Sequence, residues 1–104
     1  MTESLVIIDH FQGLEGETFS VALGEDSLDL VLVEVADDSD RLGRHNLEYL
    51  PRIPFTLILR GPLEPVLPQG IYRLSHPQRE TIEQLMVPIV DLRKDGIYYQ
   101  IIYN

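Results

Sequence analysis

Three imidazoles, His10, His45 and His76, are the side chains best suited to proton transfer near neutral pH in this chain. A metal site or a general base would need them to converge with carboxylates. Their separations put them on different elements and form no ligand motif, so hydrogen bonding or plain exposure is the expected role. Ser20, Ser27, Ser39 and Ser75 fall in strand or turn contexts, with no Gly-x-Ser-x-Gly elbow and no local base, so nucleophilic catalysis has no support. Asp37, Asp38 and Asp40 look like a fragment of a calcium loop but lack its spacing and central Gly, which predicts a solvated acidic loop. Gly13-Leu-Glu-Gly16 lacks the Gly-Lys-Ser/Thr of a phosphate loop and precedes a strand, so it reads as a turn. Some pair among seventeen acidic residues will always meet the glycosidase separation of about 5–10 Å, so the count carries no information. No catalytic set, metal set or cofactor is expected, and the chain reads as a non-enzyme.

Two groups remain. Arg60-Gly61-Pro62 and Gln69-Gly70-Ile71-Tyr72 read first as architecture: Arg60 covering a strand end or pairing with a carboxylate, the glycines supplying special backbone angles, and Tyr72 packing. The functional alternative is a polar pocket of Arg60, Gln69 and Tyr72 at one end of a barrel, suited to an anionic or carbohydrate-like ligand. The second group is the closing run Ile97-Tyr-Tyr-Gln-Ile-Ile-Tyr103, apolar on both faces. A central or barrel-closing strand would explain it. At an edge, Tyr98, Tyr99, Ile101 and Tyr103 would instead form an interface, since tyrosine pairs apolar area with a polar tip.

The elements that must position these residues are strands. Apolar runs cut by Gly and Pro at short intervals are the pattern of a small all-β domain. Thr18 to Leu23 alternates as a half-buried strand, Gly24-Glu-Asp-Ser27 is a turn, and Leu28 to Val35 is apolar on both faces and should be central. Asp9 to Gly13 fits one helical turn, with Asp9 as its cap. Ala36 to Arg52 reads as an exposed loop. Phe55 to Arg60 is a strand, and Pro62, Pro65 and Pro68 make the next connection rigid and extended. Gly70 to His76 is a strand ended by Pro77. Beyond it, Ser75 and Gln78 fit a capping box, while Thr81 to Val90 reads as a strand with Leu85, Val87 and Ile89 on one face. A short turn and then a strand is the expectation. Lys94-Asp-Gly96 is a hairpin signal leading into Ile97 to Tyr103. About six strands joined mostly by short turns predict an antiparallel barrel or sandwich, one domain over residues 1–104.

These landmarks together resemble a family of small, mostly bacterial β-rich domains of unknown function. The matching residues are Phe11, Gly16 and Phe19; Phe55, Leu57, Arg60, Gly61 and Pro62; Gln69, Gly70, Tyr72 and His76; then Pro88, Tyr99 and Asn104. The resemblance implies a β-rich fold and a strand over Thr81 to Val90, and it transfers no catalytic residue. Some members are encoded beside phage-tail-like and tail-collar proteins, which implies a place in such an assembly. Gln78-Arg79-Glu80 departs from the family's Leu-Gly turn.

Composition narrows the partners. Eight basic against seventeen acidic residues give a formal charge of −9, which repels phosphate backbones and disfavours anionic membranes. Cysteine is absent, which removes disulfides and thiol chemistry. Residues 1–10 lack the positive charge and the apolar length of a secretory signal. The expectation is a cytoplasmic chain, or one exported within an assembly without a cleaved signal. It would act on a protein partner or on copies of itself rather than on nucleic acid or membrane.

Overall fold

Six strands form where Gly and Pro leave the apolar runs intact: β1 (Thr18–Leu23), β2 (Asp26–Asp37), β3 (Phe55–Gly61), β4 (Gly70–His76), β5 (Arg79–Ile89) and β6 (Ile97–Tyr103). The computed structural model describes residues 6–39, 53–89 and 95–103. The strands close into a barrel in the order β1-β2-β3-β6-β5-β4, every neighbouring pair antiparallel. Of the two all-β architectures expected, the chain adopts the barrel. Exchanging β1-β2-β3 with β4-β5-β6 leaves this order unchanged, although the sequence shows no internal repeat.

The order has a geometric consequence. β3 and β4 lie three places apart in a ring of six, on opposite walls, and the connection over residues 62–69 must cross a mouth. This upper mouth collects the ends of β1, β3 and β5 and the starts of β2, β4 and β6. The crossover drops Leu67 into the core, where its N–H donates to the Tyr99 hydroxyl at 2.9 Å. At the lower mouth a 3-10 turn, Ile8–His10, and the loop after it insert Ile8, Phe11 and Leu14. The Phe11 ring lies 6.2, 5.8 and 6.2 Å from those of Phe19, Phe55 and Tyr103.

Between the mouths the interior is filled by Val21, Leu30, Leu32, Leu57, Leu59, Leu74, Met86, Tyr99 and Ile101, none more than 1% exposed. A narrow barrel leaves only enough room for its own side chains. Burying a residue of this kind contributes roughly 1.5–3 kcal/mol, so the filled interior is the main source of stability.

Three expectations are corrected in detail, and the part played by Gly96 is added. The 3-10 turn is entered from Ile7, not capped by Asp9; the His10 Nδ1 accepts the Ile7 N–H at 3.0 Å. The turn after β1 is shorter than Gly24 to Ser27, because Leu23 pairs Asp26; Gly24 within it takes a positive φ of 68°. β2 runs on through Ala36 and Asp37, since β3 offers ladder partners at Thr56 and Phe55 that override the weak strand preference of Asp. Gly96 is not at a positive φ: its role is space, for a Cβ there would sit 2.5 Å from the Gly61 carbonyl oxygen and 2.8 Å from Arg60 Cγ. Asp40, His45, Lys94 and Asn104 lie outside the described residues.

Candidate functional site

Arg60, Gln69 and Tyr72 do not converge on a pocket. Arg60 is outward-facing near the end of β3, between the inward Leu59 and Gly61, and its Nη1 contacts Asp95 Oδ2 at 3.3 Å. Its aliphatic stem lies over Gly96, and Asp95 in turn accepts the Tyr98 hydroxyl at 2.7 Å on Oδ1. Tyr72 belongs to the opposite wall and alternates with the exposed Ile71 and Arg73, so its ring turns inward. Its hydroxyl donates to the Pro68 carbonyl at 2.7 Å, tethering the crossover. Gln69 is exposed at the foot of that crossover. The architectural reading holds for Arg60, which braces the β3–β6 end, and for Tyr72, which braces the strap. It is corrected for Gly61 and Gly70, which are not at positive φ; at Gly61 the constraint is space, since a Cβ there would sit 2.5 Å from Leu30 Cδ2.

The tyrosine-rich strand is likewise turned to internal work. β6 lies between β3 and β5, and Tyr98, Tyr99, Ile101 and Tyr103 are each at most 2% exposed. Tyr99, Ile101 and Tyr103 point into the barrel, while Tyr98 is buried on its outer side. The interface expected at these four residues is not presented to a partner, because a strand with neighbours on both edges has no edge to offer.

Of the two described imidazoles, His76 has the more complete set of partners. Its Nδ1 accepts the Gln78 N–H at 3.1 Å, so the ring proton sits on Nε2 and donates to Glu17 Oε1 at 2.7 Å. The Phe19 ring packs 5.1 Å away. These contacts bridge β1 and β4, the seam with only two ladder pairs, Ser20↔Ser75 and Val21↔Leu74. The Nε2 contact thereby helps to close the barrel, while the Nδ1 contact holds the turn from β4 into β5. His10 lies on the 3-10 turn at the same mouth, where its carbonyl accepts from Arg79 Nε at 3.3 Å.

The acidic run is tied to local structure. Asp37 Oδ1 accepts the Ser39 N–H at 2.8 Å, and the Thr56 hydroxyl donates to Asp38 Oδ2. The Ser39 hydroxyl, and after it the Ser39 N–H, hold the Asp37 carboxyl below the ordinary aspartate value. Among the described residues no group of three His, Asp or Glu side chains gathers where a metal ion could sit. Nor is any helix among them long and apolar enough to cross a membrane.

Among the described residues the outward apolar side chains are Ile7 and Ile53 before their elements, Leu63 and Val66 on the crossover, and a row on β4 and β5 that the sequence only partly announces. Ile71 on β4 and Leu85 on β5 are direct cross-strand partners, 70% and 43% exposed. Val87 and Ile89 continue the row along β5, half-buried. The shared face of Leu85, Val87 and Ile89 is legible from their spacing. That it is the outer one is not, because Ile82 and Met86 offer an equally apolar alternative for the core.

No curated protein and no solved structure matches the chain. A family model does match, over residues 6–103, which span both mouth closures and all six strands. The chain therefore belongs to the family described as a domain of unknown function, DUF6916.

Proposed function

We propose that this barrel is a non-enzymatic protein-interaction module, an accessory piece of a larger assembly. The observation that carries the reading is the Ile71–Leu85 pair, two large aliphatic side chains left on the outer wall beside each other. Exposed apolar groups gathered in this way mark interaction surfaces more often than scattered ones do. The interior is filled by the chain's own side chains, so the outer wall is the surface with which the domain would act. A formal charge of −9 favours a protein partner over nucleic acid or an anionic membrane. A phage-tail-like assembly is the setting suggested by the family resemblance, with the chain either cytoplasmic or carried out within that assembly.

The test combines light scattering on a sizing column, over a concentration series, with affinity capture from the native host. A discrete oligomer, or a partner of fixed stoichiometry that rebinds from purified components, is the expected outcome. A strict monomer at high concentration with no such partner would sink the proposal.

A further inference from the structure

Resting on that reading, we infer that the outer face of β4, β5, β6 and β3 is the docking surface, and that its occupant is a basic protein surface with an apolar centre. The register makes the face continuous. Ile71 pairs Leu85, Val87 and Ile89 follow along β5, Val87 pairs Gln100, and Gln100 pairs Ile58 on β3 with Ile102 beside it. Ile58, Val87, Ile89 and Ile102 are half-buried, so the face is a shallow apolar band rather than a lone hydrophobe.

Charge selects the occupant. Among the described residues, two cations on this side of the barrel are already engaged, Arg60 by Asp95 and Arg73 by Glu83 at 3.2 Å. Arg79, at the lower end of β5, turns its guanidinium to the carbonyls of His10 and Gln78. Among the described residues the carboxylates left without a cation here are Glu34, which pairs Ile58 from the next strand, and Glu64 on the crossover. Among the described residues the border of the band is therefore negative, on a chain that carries −9 overall. A second copy would bring the same sign of charge to that border, whereas lysines or arginines around an apolar centre would complement it.

The probe is a synthetic peptide of alternating Leu and Lys, titrated into nitrogen-15-labelled protein, with a Leu/Glu peptide of equal length as its control. The expected result is amide shifts centred on residues 58, 71, 85, 87 and 102. Binding should weaken several-fold as salt rises past the point where the screening length is about 8 Å, near 0.15 M. The Leu/Glu peptide should bind at least about tenfold more weakly, as should the Lys peptide on the double variant Ile71→Thr/Leu85→Thr. Threonine keeps the strand preference at both sites, and unchanged circular dichroism checks the fold. Shifts scattered over other acidic segments, equal binding of the two peptides, or an unaffected double variant would overturn the inference. So would a dimer that the double substitution dissolves, since a second copy would then own the face. The two failures separate. A native partner that binds the double variant as tightly as the parent removes this face but leaves the module reading in place. A face that takes the Lys peptide in a chain with neither partner nor oligomer supports the face and removes the module reading.

Discussion

At the lower mouth the Phe11 ring meets Phe19, Phe55 and Tyr103, with Ile8 and Leu14 beside it; at the upper mouth the crossover sends in one side chain, Leu67, and anchors its N–H to Tyr99. The lower closure is thus aromatic and close-packed, supplied by a segment that precedes the first strand. The upper one is a strap held at both ends by strands on opposite walls, pinned by one apolar insertion and two tyrosine hydroxyls. Packing of the first kind depends on volume, and a defect in it costs in proportion to the hole left behind. Pinning of the second kind depends on single hydrogen bonds, each worth less but costly when a buried donor loses its acceptor.

The largest effect is expected at the lower mouth. Phe11→Ala should lower stability by about 3–5 kcal/mol, the range for removing a buried phenyl group. Chemical denaturation read at equilibrium measures this, and a loss below about 1 kcal/mol would mean that the aromatic cluster is not the plug described. At the upper mouth Leu67→Ala should cost about 2–3 kcal/mol, towards the low end for a buried leucine because the strap can settle into the gap. Tyr99→Phe keeps the ring but strands the Leu67 N–H, for about 1–3 kcal/mol. It should also speed hydrogen exchange at Leu67 while leaving β2 and β3 protected. If Tyr99→Phe proved as damaging as Phe11→Ala, the contrast between packing and pinning would collapse.

Much of this scaffold is legible in the residues. β1, β4 and β6 have the bounds that alternation and flanking Gly or Pro predict, because those signals are local. The ring order is not legible, since pairing of β1 with β4 and β3 with β6 is decided between segments far apart in the chain. The same limit explains the reading of the tyrosines. Their types fit an interface and an interior strand equally well, and only the flanking positions of β3 and β5 decide. Arg60 with a carboxylate partner was foreseeable as a type of contact. That the partner is Asp95, across the start of β6, depends on register. The candidate face over Ile71 and Leu85 hid for a related reason: on β5 both faces are apolar, and which one turns inward is set by β4 and β6.

Gly96 sharpens the upper mouth further. A Cβ there would strike the Gly61 carbonyl oxygen, a backbone atom that cannot swing aside, as well as the Arg60 stem. Gly96→Ala should therefore cost about 1–3 kcal/mol, as overpacking does, and loosen the Arg60–Asp95 contact. Gly24 offers the contrasting control. It has open space around it but a φ of 68°, so Gly24→Ala should strain the turn without disturbing the Arg60 side of the barrel. Comparing side-chain shifts of Arg60 in the two variants distinguishes them, and identical shifts would argue against close approach as the reason for Gly96.

The smallest effect belongs to the lower rim, at Asp37. Hydrogen bonds from Ser39 hold this carboxyl below its ordinary value, so the folded state favours the ionised form more than the unfolded chain does. Its contribution to stability is accordingly present in full above the unfolded value of about 3.9. It fades as pH falls through the lower folded value, so acid weakens the end of β2 rather than strengthening it. Because Asp37 is exposed, the change in global stability should be slight. A carboxyl-resolved titration by nuclear magnetic resonance is the fitting measurement. Its midpoint for Asp37 should lie below that of an unhindered aspartate, and Ser39→Ala should move it upward by removing the larger of the two interactions. A midpoint unmoved by Ser39→Ala would show that the hydroxyl does not set the acidity.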